Sequence, residues 1–223
     1  MNYKILDVKE QLLEENDILA ASNRKALQRN GTLLINLMGS PGAGKTSVLL
    51  RLIVGLKDEF RIGVMEADVD SDVDAKAVSD AGAKAVQLHT GGLCHMDAAM
   101  TAQGLEALGL AGLDLVFLEN VGNLVCPAEF DVGADLRMMI LSVPEGDDKP
   151  LKYPLMFTVS DLMLVNKIDT APIFDFDFEA AVSRARACNP KIRVFPVSAK
   201  TGAGFEDLAA CLRAALAERR PKP

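Results

Sequence analysis

Residues 39–46 read Gly-Ser-Pro-Gly-Ala-Gly-Lys-Thr, and this octapeptide restricts the fold more than any other stretch of the chain. It meets the pattern G-x-x-x-x-G-K-S/T at every position. The apolar run Leu33-Leu34-Ile35-Asn36-Leu37-Met38 precedes it, and Val48, Leu52 and Leu56 follow it at helical spacing. A loop of this kind works between a strand and a helix. Its glycines let backbone N–H groups turn inward around phosphate oxygens, and the helix N-terminus adds its positive dipole end. The pattern assigns Gly39, Gly42, Ala43, Gly44, Lys45, Thr46 and Ser47 to nucleotide phosphates. Lys45 is expected to reach the β- and γ-phosphates, and the Thr46 hydroxyl to bind Mg²⁺. A chance match is the competing explanation, and the flanking strand and helix argue against it.

The rest of the chain alternates strands with helices. Strands are expected at 61–66, 85–88, 113–118, 138–143, 162–165 and 192–197, and helices at 75–81, 95–108, 178–188 and 205–219. Runs such as 113–118 are continuously apolar, as in a parallel sheet covered on both faces. The expected class is α/β: a P-loop NTPase with a mainly parallel, doubly wound sheet and helices on both faces. Residues 1–31 read as an N-terminal helical extension, with Val8, Leu12, Leu19 and Ala26 on one face and Asn30-Gly31 as its stop. Residues 32–223 read as the nucleotide-binding domain, and the polar stretch 144–154 as a mobile surface loop. No apolar stretch approaches membrane-span length, and Asp7, Lys9 and Glu10 interrupt any signal-peptide core. A net charge of -7 argues against a nucleic-acid partner held through phosphates. Cysteines 94, 126, 188 and 211 form no regular framework, which suggests reduced thiols in the cytoplasm.

Ligands of such sheets bind at the carboxyl ends of the strands. Two strand-end stretches choose the base. Asn166-Lys167-Ile168-Asp169 and Ser198-Ala199-Lys200 resemble the guanine-recognition elements of G proteins. The Asp169 carboxylate can accept from guanine N1–H and its 2-amino group, whereas adenine would leave that charge unpaired. Each stretch alone is a weak signal that also fits a solvated turn. Together with the phosphate loop they point to GTP. Phosphoryl transfer needs positioning and charge neutralisation. Lys45 and Mg²⁺ would supply charge, and Asp68 and Asp74 are candidates to orient Mg²⁺ or the attacking water. Asp70 and Asp72 read as a solvated acidic loop. Glu119 begins Glu-Asn-Val-Gly, where many G proteins carry Asp-x-x-Gly. It is expected to contact Mg²⁺ through water, with the Gly122 N–H sensing the γ-phosphate. The expected catalytic set is Lys45, Asp68, Asp74 and Glu119, with Thr46, Asp74 and Glu119 around Mg²⁺. No glutamine or arginine is placed to orient water or act as a finger, so slow hydrolysis raised by a partner or a second copy is expected.

Cys94-His95 follow the turn Thr90-Gly91-Gly92, and Cys126 lies 31 positions beyond His95. Two thiolates and an imidazole suit Zn²⁺ or Ni²⁺. Adjacent ligands diverge, so a third is needed, and Cys126 is the natural candidate. Spacing alone ranks this equal with two buried cysteines and a hydrogen-bonded histidine. Cys188 and Cys211 read as core or incidental. His89 reads as structural, with an accessory-ligand role open.

Several of these stretches together resemble the HypB family, the nickel-inserting GTPases of nickel–iron hydrogenase maturation. They are residues 39–46, Asp68 with Asp74-Ala75, Thr90-Gly91 with Cys94-His95-Met96-Asp97-Ala98, and Glu119-Asn-Val-Gly-Asn-Leu-Val-Cys-Pro-Ala128. Glu145-Gly-Asp-Asp148, Asn166-Lys-Ile-Asp169, and Glu15-Asn16-Asp17 with Asn23-Arg24 also match. The resemblance implies a GTPase that stores or hands over nickel and dimerises with GTP. It implies Cys94, His95 and Cys126 as ligands near the dimer interface, with a hydrogenase maturation partner and the hydrogenase large-subunit precursor as further partners. The sequence departs from the family in two ways. Its first cysteine is Cys94 and its first histidine His89, so the family's N-terminal cysteine motif and histidine-rich tract are not matched, leaving the G-domain site alone. His89 stands where asparagine is commoner. Three alternatives compete: a urease-accessory nickel GTPase, a nucleotide-gated scaffold with structural zinc, and a regulatory G protein without metal. The Cys94-His95 pair and Asn123-Leu-Val-Cys126 favour the hydrogenase branch over the first.

Overall fold

The computed structural model describes residues 8–68 and 73–219, without the side chains of residues 8, 9, 68 and 73–75. Helix α1 (Val8–Asn30) leads into β1 (Leu33–Gly39), the phosphate loop and α2 (Lys45–Leu56). There follow β2 (Ile62–Asp68), α3 (Val73–Ala81), β3 (Lys84–His89), α4 (Ala98–Leu108), β4 (Leu115–Glu119) and the single turn α5 (Cys126–Glu129). After β5 (Leu136–Ser142) come two short helices, α6 (Lys149–Lys152) and α7 (Pro154–Val159). The chain ends with β6 (Leu162–Asn166), α8 (Phe178–Cys188), β7 (Arg193–Pro196) and α9 (Phe205–Arg219). All strand pairs are parallel, in the order β3-β2-β4-β1-β5-β6-β7. From β1 the chain runs to β2 and β3 on one side, returns to insert β4 beside β1, and then crosses to β5, β6 and β7 on the other side. The end of β1 is therefore the switch point at which such sheets bind ligands. Among the described residues no helix is long and apolar enough to cross a membrane.

Period-two alternation divides the strands between two cores. Leu33, Ile35 and Leu37 of β1 pack with Val64 of β2, Phe117 of β4 and Ile140 of β5 beneath α2 and α9. Each such buried side chain contributes roughly 1.5–3 kcal/mol. At the carboxyl ends the same alternation turns polar. Ile62 and Val64 lead to Glu66, Leu115 and Phe117 to Glu119, Met138 and Ile140 to Ser142, and Leu162 and Leu164 to Asn166. All four polar residues are buried. The opposite face carries two apolar clusters, one with Met38, Met139 and Met156, the other with Leu34, Met65 and Leu27.

Three expectations need correction. The buried face of α1 is Asn16, Ala20, Asn23 and Leu27, whereas Leu12 and Leu19 are exposed. Hydrophobic periodicity misread this helix because its docking is partly polar. Asn16 donates to Asp131 O and accepts from the Ala98 N–H, and Asn23 donates to Ala98 O. The segment 144–154 is not a structureless loop. Pro150 and Pro154 open short helices, where a missing N–H costs nothing. Asp147 accepts from the Asp177 N–H at 2.9 Å and pairs with Arg184, tying the segment to α8. Finally, α4 begins at Ala98, not His95, because Asp97 caps it by accepting from the Met100 N–H. Cys94 and His95 are thereby left in a loop.

Candidate functional site

In the phosphate loop Gly42 and Gly44 adopt φ of 75° and 94°. A side chain at 44 would also sit 2.5 Å from the Asn166 amide nitrogen. Helix α2 starts without a side-chain cap, so its first N–H groups remain for a ligand. The Thr46 hydroxyl donates to Glu119 Oε1 at 2.8 Å, and Lys45 Nζ lies 3.4 Å from Ser40 O. These side chains line a cavity of about 420 Å³ with Pro41, Gly42, Glu66, Ala67, Asn120, Val121 and Gly122. The far wall is stitched to β1: the Asn120 N–H donates to Leu37 O and the Asn123 N–H to Gly39 O. A Cβ on Gly122 would lie 2.9 Å from Pro41 N, so only glycine allows this approach. The hydroxyl and carboxylate pair, both hard oxygen donors, fits Mg²⁺.

A second cavity of about 320 Å³ opens beside the loop, lined by Gly44, Ser47, Asn166, Lys167, Asp169, Thr170, Ala199 and Lys200. Asn166 is a brace. It donates to Ala43 O at 3.0 Å and accepts from the Ala199 N–H at 3.2 Å, joining the phosphate loop to both strand-end stretches. Lys167, at φ 61°, donates to Gly42 O at 2.7 Å. The Ser198 hydroxyl donates to Asp169 Oδ1 at 2.6 Å and orients an exposed carboxylate. Every residue expected around the base thus meets in one place.

Cys94, His95 and Cys126 converge as well. One ligand atom from each lies within 4.8 Å of the others, and no other group of this kind occurs among the described residues. The two sulfurs are 2.9 Å apart, and Cys94 Sγ is 3.7 Å from His95 Nδ1. The thiol contact, with burial, pushes the Cys126 thiol up from its ordinary value, so proton loss here is coupled to whatever neutralises the sulfurs. Burial lowers His95, against the pull of Asp97 and Glu129, and favours the neutral imidazole that a metal requires. The ring stacks on Phe130 at 4.0 Å. His89, exposed at the end of β3, stands outside the cluster. Cys188 and Cys211 pack against apolar cores.

Two of the expected catalytic residues, Asp68 and Asp74, have side chains outside the described residues, and so do Asp70 and Asp72 entirely. Other side chains were missed. Asn120 accepts from the Met96 N–H at 3.1 Å, next to His95, and Asn123 donates to Cys94 O at 3.3 Å. These amides join the wall at 119–123 to the loop holding two ligands. Glu66 was missed too, although its spacing from Ile62 and Val64 places it on the core face of β2.

A family model described as the CobW/HypB/UreG nucleotide-binding domain matches residues 33–196. The chain is 44% identical over 216 residues to the hydrogenase maturation factor HypB of Rhizobium leguminosarum bv. viciae, covering 97% of this chain and 72% of that protein. The structure is similar to that of the hydrogenase maturation factor HypB from Archaeoglobus fulgidus. There the identity is 41% and the TM-score 0.86, over 92% of this chain and 100% of that one. It is also similar to HypB from Helicobacter pylori, solved in complex with nickel, at 35% identity and TM-score 0.87 over 93% and 98% of the two chains. The chain belongs to the HypB hydrogenase maturation factors and carries the nucleotide-binding GTPase domain of that family.

Proposed function

We propose that this chain couples GTP binding and hydrolysis to the delivery of nickel during nickel–iron hydrogenase maturation. One observation carries the proposal. Cys126 hangs on the segment that begins at Glu119, and that segment touches the phosphate loop at Thr46, Gly39 and Pro41. Asn120 and Asn123 extend the same contact to the loop of Cys94 and His95. A shift in the wall at 119–123 would in this way reach all three ligands.

In this proposal Gly39, Gly42, Ala43, Gly44, Lys45, Thr46 and Ser47 hold the phosphates. Asp169, Lys167 and Lys200 read and cover the guanine, while Asn166, Ser198 and Ala199 set their positions. Lys45 offsets charge on the transferred phosphoryl group, Gly122 presents its N–H to the γ-phosphate, and Asp68 and Asp74 orient the attacking water. Thr46, Asp74 and Glu119 would hold Mg²⁺, which when bound neutralises charge on the β- and γ-oxygens. Slow intrinsic turnover, raised by a partner or a second copy, belongs to the same reading. Exposed Leu93 and Val125 flank the ligands Cys94 and Cys126, which supports a GTP-dependent homodimer across the metal cluster. Free thiols fit a cytoplasmic protein that hands its cargo to a hydrogenase maturation partner or to the large-subunit precursor.

The test is to titrate Ni²⁺ and Zn²⁺ into the protein with GDP and with a non-hydrolysable GTP analogue, measuring oligomer size in parallel. Coupled delivery predicts an affinity difference of about 5–150-fold between the two states. Equal affinities would sink it and favour structural zinc, and no binding at all would favour a plain regulatory G protein.

A further inference from the structure

Four buried polar residues end the core face of the sheet. Glu119 accepts from Thr46, Asn166 braces the phosphate loop, and Ser142 donates to Glu145 and closes the turn after β5. Glu66 is the fourth. It is 2% exposed, and it lines the same cavity as Lys45, Thr46 and Glu119.

Its neighbours define what it can do. Glu66 is the register partner of Glu119 on β4, and adjacent strands run about 4.7–4.9 Å apart. Its partner on the other side, on β3, is the neutral Gln87. Like charges placed directly opposite are destabilising, and burial of carboxylates adds to the cost. Lys45 brings one positive charge to the cavity wall. Two carboxylates, a hydroxyl and the waters of a small hard cation together make a donor set suited to a divalent ion, since Mg²⁺ keeps several of its waters.

We propose that Glu66 is a positioning residue of the GTPase site. Its carboxylate accepts hydrogen bonds from the water shell of the divalent cation held at Thr46 and Glu119, and so fixes the cation and the water next to the γ-phosphate. This rests on the GTPase function proposed above. It adds a second acidic wall to a site for which the sequence offers Glu119 and the two aspartates.

The experiment compares wild type, Glu66→Gln and Glu66→Asp as full chains. Mg²⁺ is titrated against the fluorescence of bound methylanthraniloyl-GTP, and separately against the rate of GTP hydrolysis, with thermal unfolding recorded for each variant. Loss of an outer-shell partner of a bound metal costs about 10–100-fold in metal affinity or activity. Glu66→Gln is therefore expected to raise the half-saturating Mg²⁺ concentration about tenfold or more and to lower kcat. Nucleotide affinity without Mg²⁺ is expected to stay within about twofold, because no phosphate contact is removed. Glu66→Asp, which keeps the charge, should recover part of the Mg²⁺ affinity. A folded Glu66→Gln with wild-type Mg²⁺ dependence would overturn the proposal, as would a lowered melting temperature with no change in half-saturation. Should Glu66→Gln fail to fold, unchanged Mg²⁺ dependence in Glu66→Asp would overturn it equally. Wild type that neither binds nor hydrolyses GTP would instead overturn the underlying GTPase proposal.

Discussion

The nucleotide cradle and the cluster of Cys94, His95 and Cys126 share the segment from Glu119 to Cys126 but are built in different ways. The cradle is a backbone construction. Glycines at positive φ, strand ends in fixed register and the buried brace Asn166 determine where its groups point. The cluster is made of three side chains on loops, with Cys94 exposed and the others half-buried. Their convergence depends on distant amides: Asn120 and Asn123 from the wall, and Asn16 from α1, which holds Asp131 O and the Ala98 N–H on the two segments beyond the ligands. A phosphate held by a rigid backbone is bound or absent. A metal held by movable side chains can be gripped to different degrees, which a delivery protein requires.

The largest effects should separate the two sites. Lys45→Ala removes the charge proposed to meet the phosphates, and loss of one such stabilising donor costs about 10²–10³ in rate. GTP hydrolysis should fall by that much, while Ni²⁺ affinity of the nucleotide-free protein stays unchanged in titration calorimetry. A simultaneous loss of metal binding would show that the cluster cannot form without an intact phosphate loop. Cys126→Ala is the reciprocal case. It takes away one of three ligands and should weaken Ni²⁺ and Zn²⁺ binding by about 100-fold or more, since even outer-shell losses reach 10–100-fold. Basal GTP hydrolysis should persist, because Cys126 lines neither nucleotide cavity. Unfolding of this variant in circular dichroism would mean that Cys126 chiefly packs.

How far the sequence disclosed these sites follows the same division. The octapeptide at 39–46 and the strand-end stretches at 166–169 and 198–200 were legible because backbone-defined sites demand particular residues at fixed spacing. Helices such as 178–188 and 205–219 follow their predicted bounds, since apolar periodicity dictates them. Cys94, His95 and Cys126 were legible as donor types, but spacing left their meeting open, because a contact across 31 residues depends on tertiary structure. The docking of α1 was misread for a physical reason. Asn16 and Asn23 are buried as hydrogen-bonding groups, and a hydrophobicity pattern counts them as surface. Glu66 belongs to no motif, unlike the aspartates that follow it, and only alternation along β2 marks it as facing the core.

The smallest expected effect concerns how α1 is fastened beside the cluster. Asp131 is half-buried, and burial by itself would raise its carboxyl. The hydrogen bond from Arg24 of α1, the Gly133 N–H and the charge of Arg137 outweigh that and hold it below the usual carboxylate range. A depressed folded pKa means that the stabilisation is fully present above the unfolded value, about 3.9, and is lost as pH falls through the lower folded value. Asp135, close by, is shifted the other way: burial raises it in spite of the Leu34 N–H and Arg219. An overall acid titration would therefore mix opposing contributions. The difference between wild type and Asp131→Asn isolates the one in question. In urea unfolding the wild type should exceed Asp131→Asn by about 1 kcal/mol or less at pH 6, because Arg24 is partly exposed and screened by solvent. That gap should close as pH falls below the unfolded value and on through the lower folded one, where the folded-state carboxyl is protonated. A gap that stays constant with pH would assign Asp131 a hydrogen-bonding role without charge. A gap that widens on acidification would reverse the sign of the shift.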